Sequence, residues 1–299
     1  MSTHGGYLYC VCGLTLQSEI ELPGLLEAQA VQSADAILRH GNVPLSLDGT
    51  GAKGPTWEMA GEDFLLRIPG IARFLVSGGR EIIVEAEPGA DFAAFASGAA
   101  LAILLQQREH IVTNASAVRV NGKAVLFAGF SGAGKSVLAA AMDARGYSLC
   151  ADDICIIDDN LTVHTDARHP QLWEFAIDKF DVTQRREGAV RNVIRKYHIA
   201  PNDIAPEALP LGAIYILREA RAPHRPGIAP VEAGEAPLLM RRMAYHPRLL
   251  EYMGGHEHYN NMGMRLVGDS KLFHLTRRLD FALMDEVSGW LEQHWRNAP

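Results

Sequence analysis

One eight-residue run constrains the fold more than any other part of the chain. Gly129-Phe-Ser-Gly-Ala-Gly-Lys-Ser136 matches the pattern G-x-x-x-x-G-K-[ST] at every position. An apolar stretch, residues 124–128, precedes it, and an Ala-rich stretch, residues 136–145, follows it. A strand, a glycine-rich turn and a helix in this order are typical of a phosphate-binding loop (P-loop) in an α/β domain.

Each position of the motif has a chemical reason. Glycines let backbone N–H groups turn inward around phosphate oxygens, and the helix N-terminus supplies further free donors. Lys135 is expected to reach the terminal phosphates of ATP, and the Ser136 hydroxyl is expected to bind Mg²⁺. The residues predicted to hold the nucleotide are Gly129, Ser131, Gly132, Ala133, Gly134, Lys135 and Ser136.

An acidic pair, Asp152-Asp153, follows the next predicted strand, residues 147–151. Adjacent ionised carboxylates repel each other unless a cation lies near them, and beside a nucleotide that cation would be Mg²⁺. A carboxylate left free of the metal can accept the proton of an attacking hydroxyl. The motif alone does not separate a kinase from an ATPase, a GTPase or a nucleotide sensor, but the acidic pair favours phosphoryl transfer.

The pattern changes along the chain and predicts two domains, a β-rich domain at 1–105 and a P-loop domain at 106–299. The first contains predicted strands at 7–16, 64–68, 73–76 and 81–85, with Gly78-Gly79 as a hairpin turn. Residues 91–107 have helical spacing and are expected to connect the two domains. In the second domain, residues 213–217 are a predicted strand and 280–295 an amphipathic helix.

Four other features favour ordinary structural roles. Cys10 and Cys12 alternate in a strand-like run, which would place both thiols on one packed face. The basic stretch 185–196 is expected to be a solvated helix face, with a segment closing over phosphates as the alternative. Arg277-Arg278 is expected to be surface charge, and His256-Glu-His258 an exposed loop.

Composition limits the remaining functions. The formal net charge of −7 argues against sequence-independent nucleic-acid binding. No apolar run approaches the roughly 20 residues that a membrane span needs, and the first residues do not resemble a secretory signal. Four cysteines are too few for a disulfide framework, so a reducing compartment, the cytoplasm, is expected.

The chain resembles a known family at these motifs. Three segments in this order resemble HPr kinase/phosphorylase: the P-loop, Arg145-Gly146-Tyr147 and Ala151-Asp152-Asp153. They resemble more closely the shorter related kinases that are encoded with lasso-peptide biosynthesis genes. Those relatives phosphorylate a serine of a ribosomal precursor peptide. The resemblance implies a C-terminal P-loop domain of the HPr-kinase/PEP-carboxykinase-like kind beside a smaller β-rich domain.

The resemblance also implies roles. One aspartate of the pair would activate the acceptor serine and the other would bind Mg²⁺; Asp152 is preferred as base and Asp153 as metal ligand. Glu174 matches the place of a further metal-associated carboxylate. Where HPr kinases carry a histidine before the core strand, this chain has Asn114, which cannot take up a proton near neutral pH. His110 and His169 are the candidate substitutes.

These observations predict an ATP/Mg²⁺-dependent serine kinase acting on a small protein or precursor peptide. A non-catalytic nucleotide-binding protein of the same fold and a small-molecule kinase are the alternatives. The sequence leaves open the acceptor, the oligomeric state and the role of the first domain.

Overall fold

The computed structural model describes residues 6–28, 33–49, 51–164, 168–203 and 208–297. Its first sheet has eight strands in the order β1-β2-β3-β8-β7-β6-β5-β4. The strands are β1 (Tyr7–Val11), β2 (Leu14–Ser18), β3 (Ala36–His40), β4 (Lys53–Gly54), β5 (Trp57–Ala60), β6 (Asp63–Ile68), β7 (Ala72–Ser77) and β8 (Glu81–Ala86).

The predicted hairpin at Gly78-Gly79 is present. Strands β7 and β8 pair antiparallel, and both glycines have positive φ, as the tight turn requires. Alternate residues of β7 and β8 are fully buried, among them Phe74, Val76 and Ile82. The period-2 pattern therefore gives this sheet one packed face.

The predicted single strand at 7–16 is wrong. Cys12 and Gly13 both have positive φ and turn the chain between β1 and β2, which pair antiparallel. The turn leaves Cys10 exposed and Cys12 buried, so the two thiols do not share a packed face.

The predicted helix after the first sheet is present and has an irregular start. It comprises α1 (Ala93–Phe95), a π-helical turn (Ala96–Ala100) and α2 (Leu101–Gln107). Residues Leu101–Leu105 are completely or almost completely buried in the core of the first sheet. That core also contains Val112 and Ile154 from the second sheet, so the two sheets share packed side chains.

The second sheet surrounds the P-loop. Its strands are β9 (Ile111–Val120), β10 (Lys123–Ala128), β11 (Leu149–Ala151), β12 (Ile154–Ile157), β13 (Thr162–His164), β17 (Leu209–Glu219), β18 (Gly227–Pro230) and β19 (Leu272–Arg277). Strands β10, β9, β12, β13 and β17 pair in a closed ring, because β17 also pairs with β10. Strands β10, β17 and β19 are parallel, which brings their carboxyl ends to one edge.

Helices cover both faces of these parallel strands. On one face lie α3 (Lys135–Ala144) and α8 (Met284–Asn297), packed on Val125, Phe127 and Tyr215. On the other lie α5 (Ala236–Met243), α6 (Pro247–Leu250) and α7 (His256–Gly268), packed on Leu126 and Ile214. The result is a mixed α/β fold. None of the helices in the described ranges is long and apolar enough to cross a membrane.

A third, small sheet lies beside α3. Strands β14 (Gln171–Trp173), β16 (Lys196–Ile199) and β15 (Arg186–Ala189) form it, with α4 (Glu174–Phe180) following β14. The basic stretch 185–196 is therefore not a helix face, as its charge pattern suggested. The His256-Glu-His258 segment is also not a loop, since it forms the first turn of α7.

Candidate functional site

The P-loop lies at the carboxyl end of β10, where α3 begins with Lys135. Gly132 and Gly134 have φ of +83° and +82°, values that favour glycine, so the motif glycines are needed by the turn itself. The Lys135 ammonium folds back over the loop and donates to the carbonyl oxygens of Gly129 at 3.1 Å and Phe130 at 3.3 Å. Burial lowers the pKa of Lys135, while the nearby charges of Asp152 and Asp153 oppose that shift. The acidic pair thus lies close enough to act on the P-loop lysine.

The acidic pair occupies a break in a strand. Strands β11 and β12 run along the same neighbour, β9, and residues 152–153 separate them. Asp153 has φ of +80°, a left-handed conformation that is costly for a residue other than glycine. Such strain persists only where the surroundings hold it, and it recurs at functional sites.

Asp152 is the buried member of the pair, with 1% of its surface exposed. Its Oδ1 accepts from the Ser116 hydroxyl at 2.5 Å, and its Oδ2 accepts from the backbone N–H of Gln171 at 3.0 Å. Burial raises the pKa of this carboxyl, Asp153 adds to the rise, and Ser116, Lys196 and Gln171 oppose it. Asp152 is therefore a carboxyl held in a fixed orientation and more basic than an ordinary aspartate.

Asp153 is half-buried and has different partners. The Tyr245 hydroxyl donates to its Oδ2 at 2.9 Å, and the Asn114 side-chain amide donates to its Oδ1 at 3.4 Å. Asn114 lies on β9, opposite Ile154. The other end of its amide, Oδ1, is buried and has no hydrogen-bond partner among the described residues. The structure thus brings Asn114 to the acidic pair.

Sequence reasoning missed Tyr245 and His246. They lie between α5 and α6, more than 90 residues from Asp153, and no local motif marks them. A Cβ on Gly98, within the π-helical turn, would lie 3.0 Å from the Tyr245 hydroxyl, so this turn forms one wall beside Asp153. Burial lowers the pKa of His246, and the Asp153 charge opposes that shift. His246 is therefore a buried histidine that lies near this carboxylate.

The small sheet closes over the buried aspartate. Gln171 of β14 donates its N–H to Asp152, and its side chain accepts from the Lys196 ammonium of β16 at 2.9 Å. The Lys196 charge also lowers the pKa of Asp152 and of Lys135. One residue of the basic stretch therefore acts on the candidate site.

The remaining predicted residues lie in other contacts. Glu174, the first residue of α4, forms ion pairs with Arg195 at 3.1 Å and Arg186 at 3.7 Å. His169 pairs with Glu187 at 2.6 Å, and His110 lines a separate small cavity next to α7. Within the described ranges none of these three contacts Asp152 or Asp153, so their predicted roles stay predictions.

A cavity of about 550 Å³ adjoins the first half of the P-loop. The loop residues that line it are Phe130, Ser131, Gly132 and Ala133, and its far walls come from the ends of β17 and β19 and from α5. Phe130 points into solvent, with 70% of its surface exposed. The cavity therefore offers space for the rest of a ligand whose phosphates lie in the loop.

Arg277, expected at the surface, is buried at the end of β19, with 3% of its surface exposed. Its Nη2 donates to the carbonyl oxygen of Ala133 at 2.8 Å. It also lines the cavity beside the loop, whereas its neighbour Arg278 is exposed. The surface assignment is thus wrong for Arg277, and a second cation lies at the P-loop.

A further cavity, of about 370 Å³, lies at the opposite end of the same strands. Its lining includes Lys123, Gly212 and Trp295 and none of the candidate site residues. No group of three or more His, Cys, Asp or Glu side chains that could hold a metal ion occurs in the described ranges.

Comparisons with known proteins assign no family. No family model matches the sequence, and no curated protein matches it. Among solved structures, the chain is similar to the Hpr(Ser) kinase/phosphatase from Coxiella burnetii, at 11% sequence identity and a TM-score of 0.32. The match covers 61% of this chain and 95% of that one. A superposition with this TM-score is too weak to assign a function.

Proposed function

We propose that this protein is an ATP- and Mg²⁺-dependent kinase that phosphorylates a serine hydroxyl. The observation that carries the proposal is the position of two carboxylates, one buried and one half-buried, beside the P-loop lysine. A P-loop that only bound nucleotide would not need a strand broken and strained to hold Asp153. Phosphoryl transfer needs such groups, because an attacking hydroxyl has to lose its proton.

The loop would hold the phosphates, with the nucleoside in the adjoining cavity. The Lys135 ammonium donates to two loop carbonyls, and it would exchange these for terminal phosphate oxygens. Phe130, exposed at the cavity mouth, provides a flat apolar surface for a base.

The side chains present fit Mg²⁺, which prefers oxygen ligands. Ser136 and Asp153 supply a hydroxyl and a carboxylate, and the unpartnered Oδ1 of Asn114 is a neighbouring oxygen. When bound, the ion would neutralise charge on the transferring phosphoryl group. Tyr245 and Asn114 fix the direction in which Asp153 presents its oxygens.

Asp152 would be the base. Its raised pKa makes it a stronger proton acceptor than an ordinary aspartate, and Ser116 fixes its orientation. The acceptor hydroxyl would replace the Gln171 N–H as the donor to Oδ2 of Asp152. Because Gln171 lies on β14, a small movement of this strand would open the site to its substrate. A peptide or small-protein acceptor, of the kind modified in lasso-peptide biosynthesis, follows from the sequence resemblance alone.

The two aspartate roles are tested by ADP release in the presence of ATP, Mg²⁺ and serine-containing peptides. Asp152→Asn should abolish acceptor-dependent ADP release and keep Mg²⁺-dependent ATP binding. Asp153→Asn should weaken the Mg²⁺ dependence of ATP binding itself. The reverse pattern would exchange the two roles, and full activity of both variants would refute the proposal.

One observation favours a second candidate, a nucleotide-binding protein without transfer activity. Asn114 contacts Asp153 but cannot take up a proton. Such a protein would bind ATP without forming a phosphorylated product, and Asn114→His would then be the variant expected to gain transfer.

A further inference from the structure

Arg277 is a buried cation without a carboxylate partner among the residues that the structure describes. The ion pairs of the described residues do not include it, and its Nε is buried without a hydrogen-bond partner. Glu219, its register partner on β17, pairs instead with Arg221 at 2.7 Å. The one hydrogen bond that its side chain makes in the described ranges goes to a neutral acceptor, the carbonyl of Ala133.

This arrangement is costly unless an anion completes it. A buried charge is normally paired, because its transfer out of water has to be offset by an opposite charge. A single carbonyl does not supply that charge. The folded protein therefore holds a guanidinium that lacks its counterion.

The position of Arg277 indicates which kind of anion would pair with it. A Cβ on Gly134 would lie 2.5 Å from Nη2, so the guanidinium is in contact with the residue that begins the turn into α3. Arg277 also lines the cavity that adjoins the loop. The inward-facing N–H groups of such a loop bind phosphate, so an anion bound there lies next to this cation.

We propose that Arg277 is the counterion of the nucleotide polyphosphate, a second cation of the phosphate cradle supplied by β19. The inference rests on the proposed nucleotide site and adds to it a residue outside the motif. Arginine suits this role, because its charge is permanent and its donors match phosphate oxygens. It would stabilise the bound phosphates and the charge that develops during transfer.

The proposal predicts opposite effects on ATP affinity and on thermal stability when the charge of Arg277 is removed. Arg277→Met deletes the charge and keeps much of the side-chain volume. The dissociation constant for ATP–Mg²⁺ should rise about 10- to 100-fold, as expected for loss of a charged hydrogen bond. The melting temperature without ligand should stay the same or rise, because an uncompensated buried charge has gone. A purely structural arginine would give the opposite, a lower melting temperature with unchanged affinity.

Isothermal titration with ATP, ADP and AMP, together with thermal melts, tests this on the full chain. Arg278→Met is the matched control, because that arginine is adjacent and exposed; neither quantity should change. Arg277→Lys keeps a positive charge and should retain most of the affinity for ATP. The loss in Arg277→Met should be larger for ATP than for AMP.

The outcomes separate the two claims. The role of Arg277 is overturned if Arg277→Met binds ATP with wild-type affinity. It is also overturned if Arg277→Lys binds ATP as weakly as Arg277→Met does. Either result leaves the proposed nucleotide site intact. Absence of ATP binding by the wild-type protein overturns the proposed function and this inference with it.

Discussion

Removal of the Ser116 hydroxyl should destabilise the protein in a pH-dependent way. Ser116→Ala takes one of two hydrogen bonds from the buried Asp152 carboxyl. A hydrogen bond to an ionised group contributes about 1.5–3 kcal/mol, and one between neutral groups about 0.5–1.5 kcal/mol. The substitution should therefore cost more when Asp152 is ionised than when it is protonated.

The direction of this pH dependence follows from the raised pKa of Asp152. The folded protein binds this proton more tightly than the unfolded chain, so the group lowers stability as pH rises from about 4, the ordinary aspartate value, through its raised value. Loss of the Ser116 bond raises the pKa further. The difference in unfolding free energy between wild type and Ser116→Ala should thus grow by about 1 kcal/mol or more as the pH rises from the ordinary aspartate value through the raised pKa of Asp152.

Urea unfolding of the unliganded protein at several pH values measures this difference. Ser148→Ala is the control, since its hydroxyl is also buried but bonds to Asp203, whose carboxylate is exposed. That variant should show a cost independent of pH in this range. An equal, constant cost for both variants would refute the view that Ser116 supports an ionisable buried aspartate.

Three further predictions follow from the local geometry. Gly134→Ala should destabilise the protein by more than about 1 kcal/mol and abolish ATP binding in titrations, because its Cβ would meet Arg277. Gly146→Ala is the control for backbone strain alone, since Gly146 has a similar φ and no atoms near the position of its Cβ. Glu174→Gln should leave the Mg²⁺ dependence of ATP binding unchanged, because ion pairs with two arginines occupy this carboxylate. A clear shift would instead support the metal role that the resemblance implies for Glu174. A thiol reagent should modify Cys10 rapidly in the native protein and the other three cysteines only on unfolding. Rapid modification of all four would contradict the burial of those three.

Local patterns predict the strand, the glycine turn and the helix at 124–145 and the Gly78-Gly79 hairpin, and the structure has all of them, because each depends on residues adjacent in sequence. They failed where one residue changes the backbone direction. The turn at Cys12-Gly13 divides a stretch that alternates like a single strand. They also failed at His256-Glu-His258, which begins a helix rather than forming a loop, because α7 packs on α5 and buries Tyr259 and Met262.

The candidate site was predictable only in its local half. The sequence motif predicts Lys135 and the acidic pair as site residues. The resemblance adds Asn114, which lies against Asp153 in the fold. Tyr245, between α5 and α6, and Arg277, at the end of β19, are distant in sequence from the groups that they contact. Only the tertiary fold brings Tyr245 to Asp153 and Arg277 to the P-loop. A dipeptide of arginines resembles surface charge, because sequence alone does not show that β19 buries the first and exposes the second.

Intact-mass spectrometry of acceptors after incubation with the protein, ATP and Mg²⁺ tests the central claim most directly. The acceptors would be serine-ended peptides, small proteins with an exposed serine and a serine-to-alanine peptide as control. The account predicts a gain of one phosphoryl group on a serine-containing acceptor, lost with Asp152→Asn and Lys135→Ala. Confirmed binding of ATP–Mg²⁺ with no mass gain on any acceptor would contradict it and favour a nucleotide-binding protein without transfer activity.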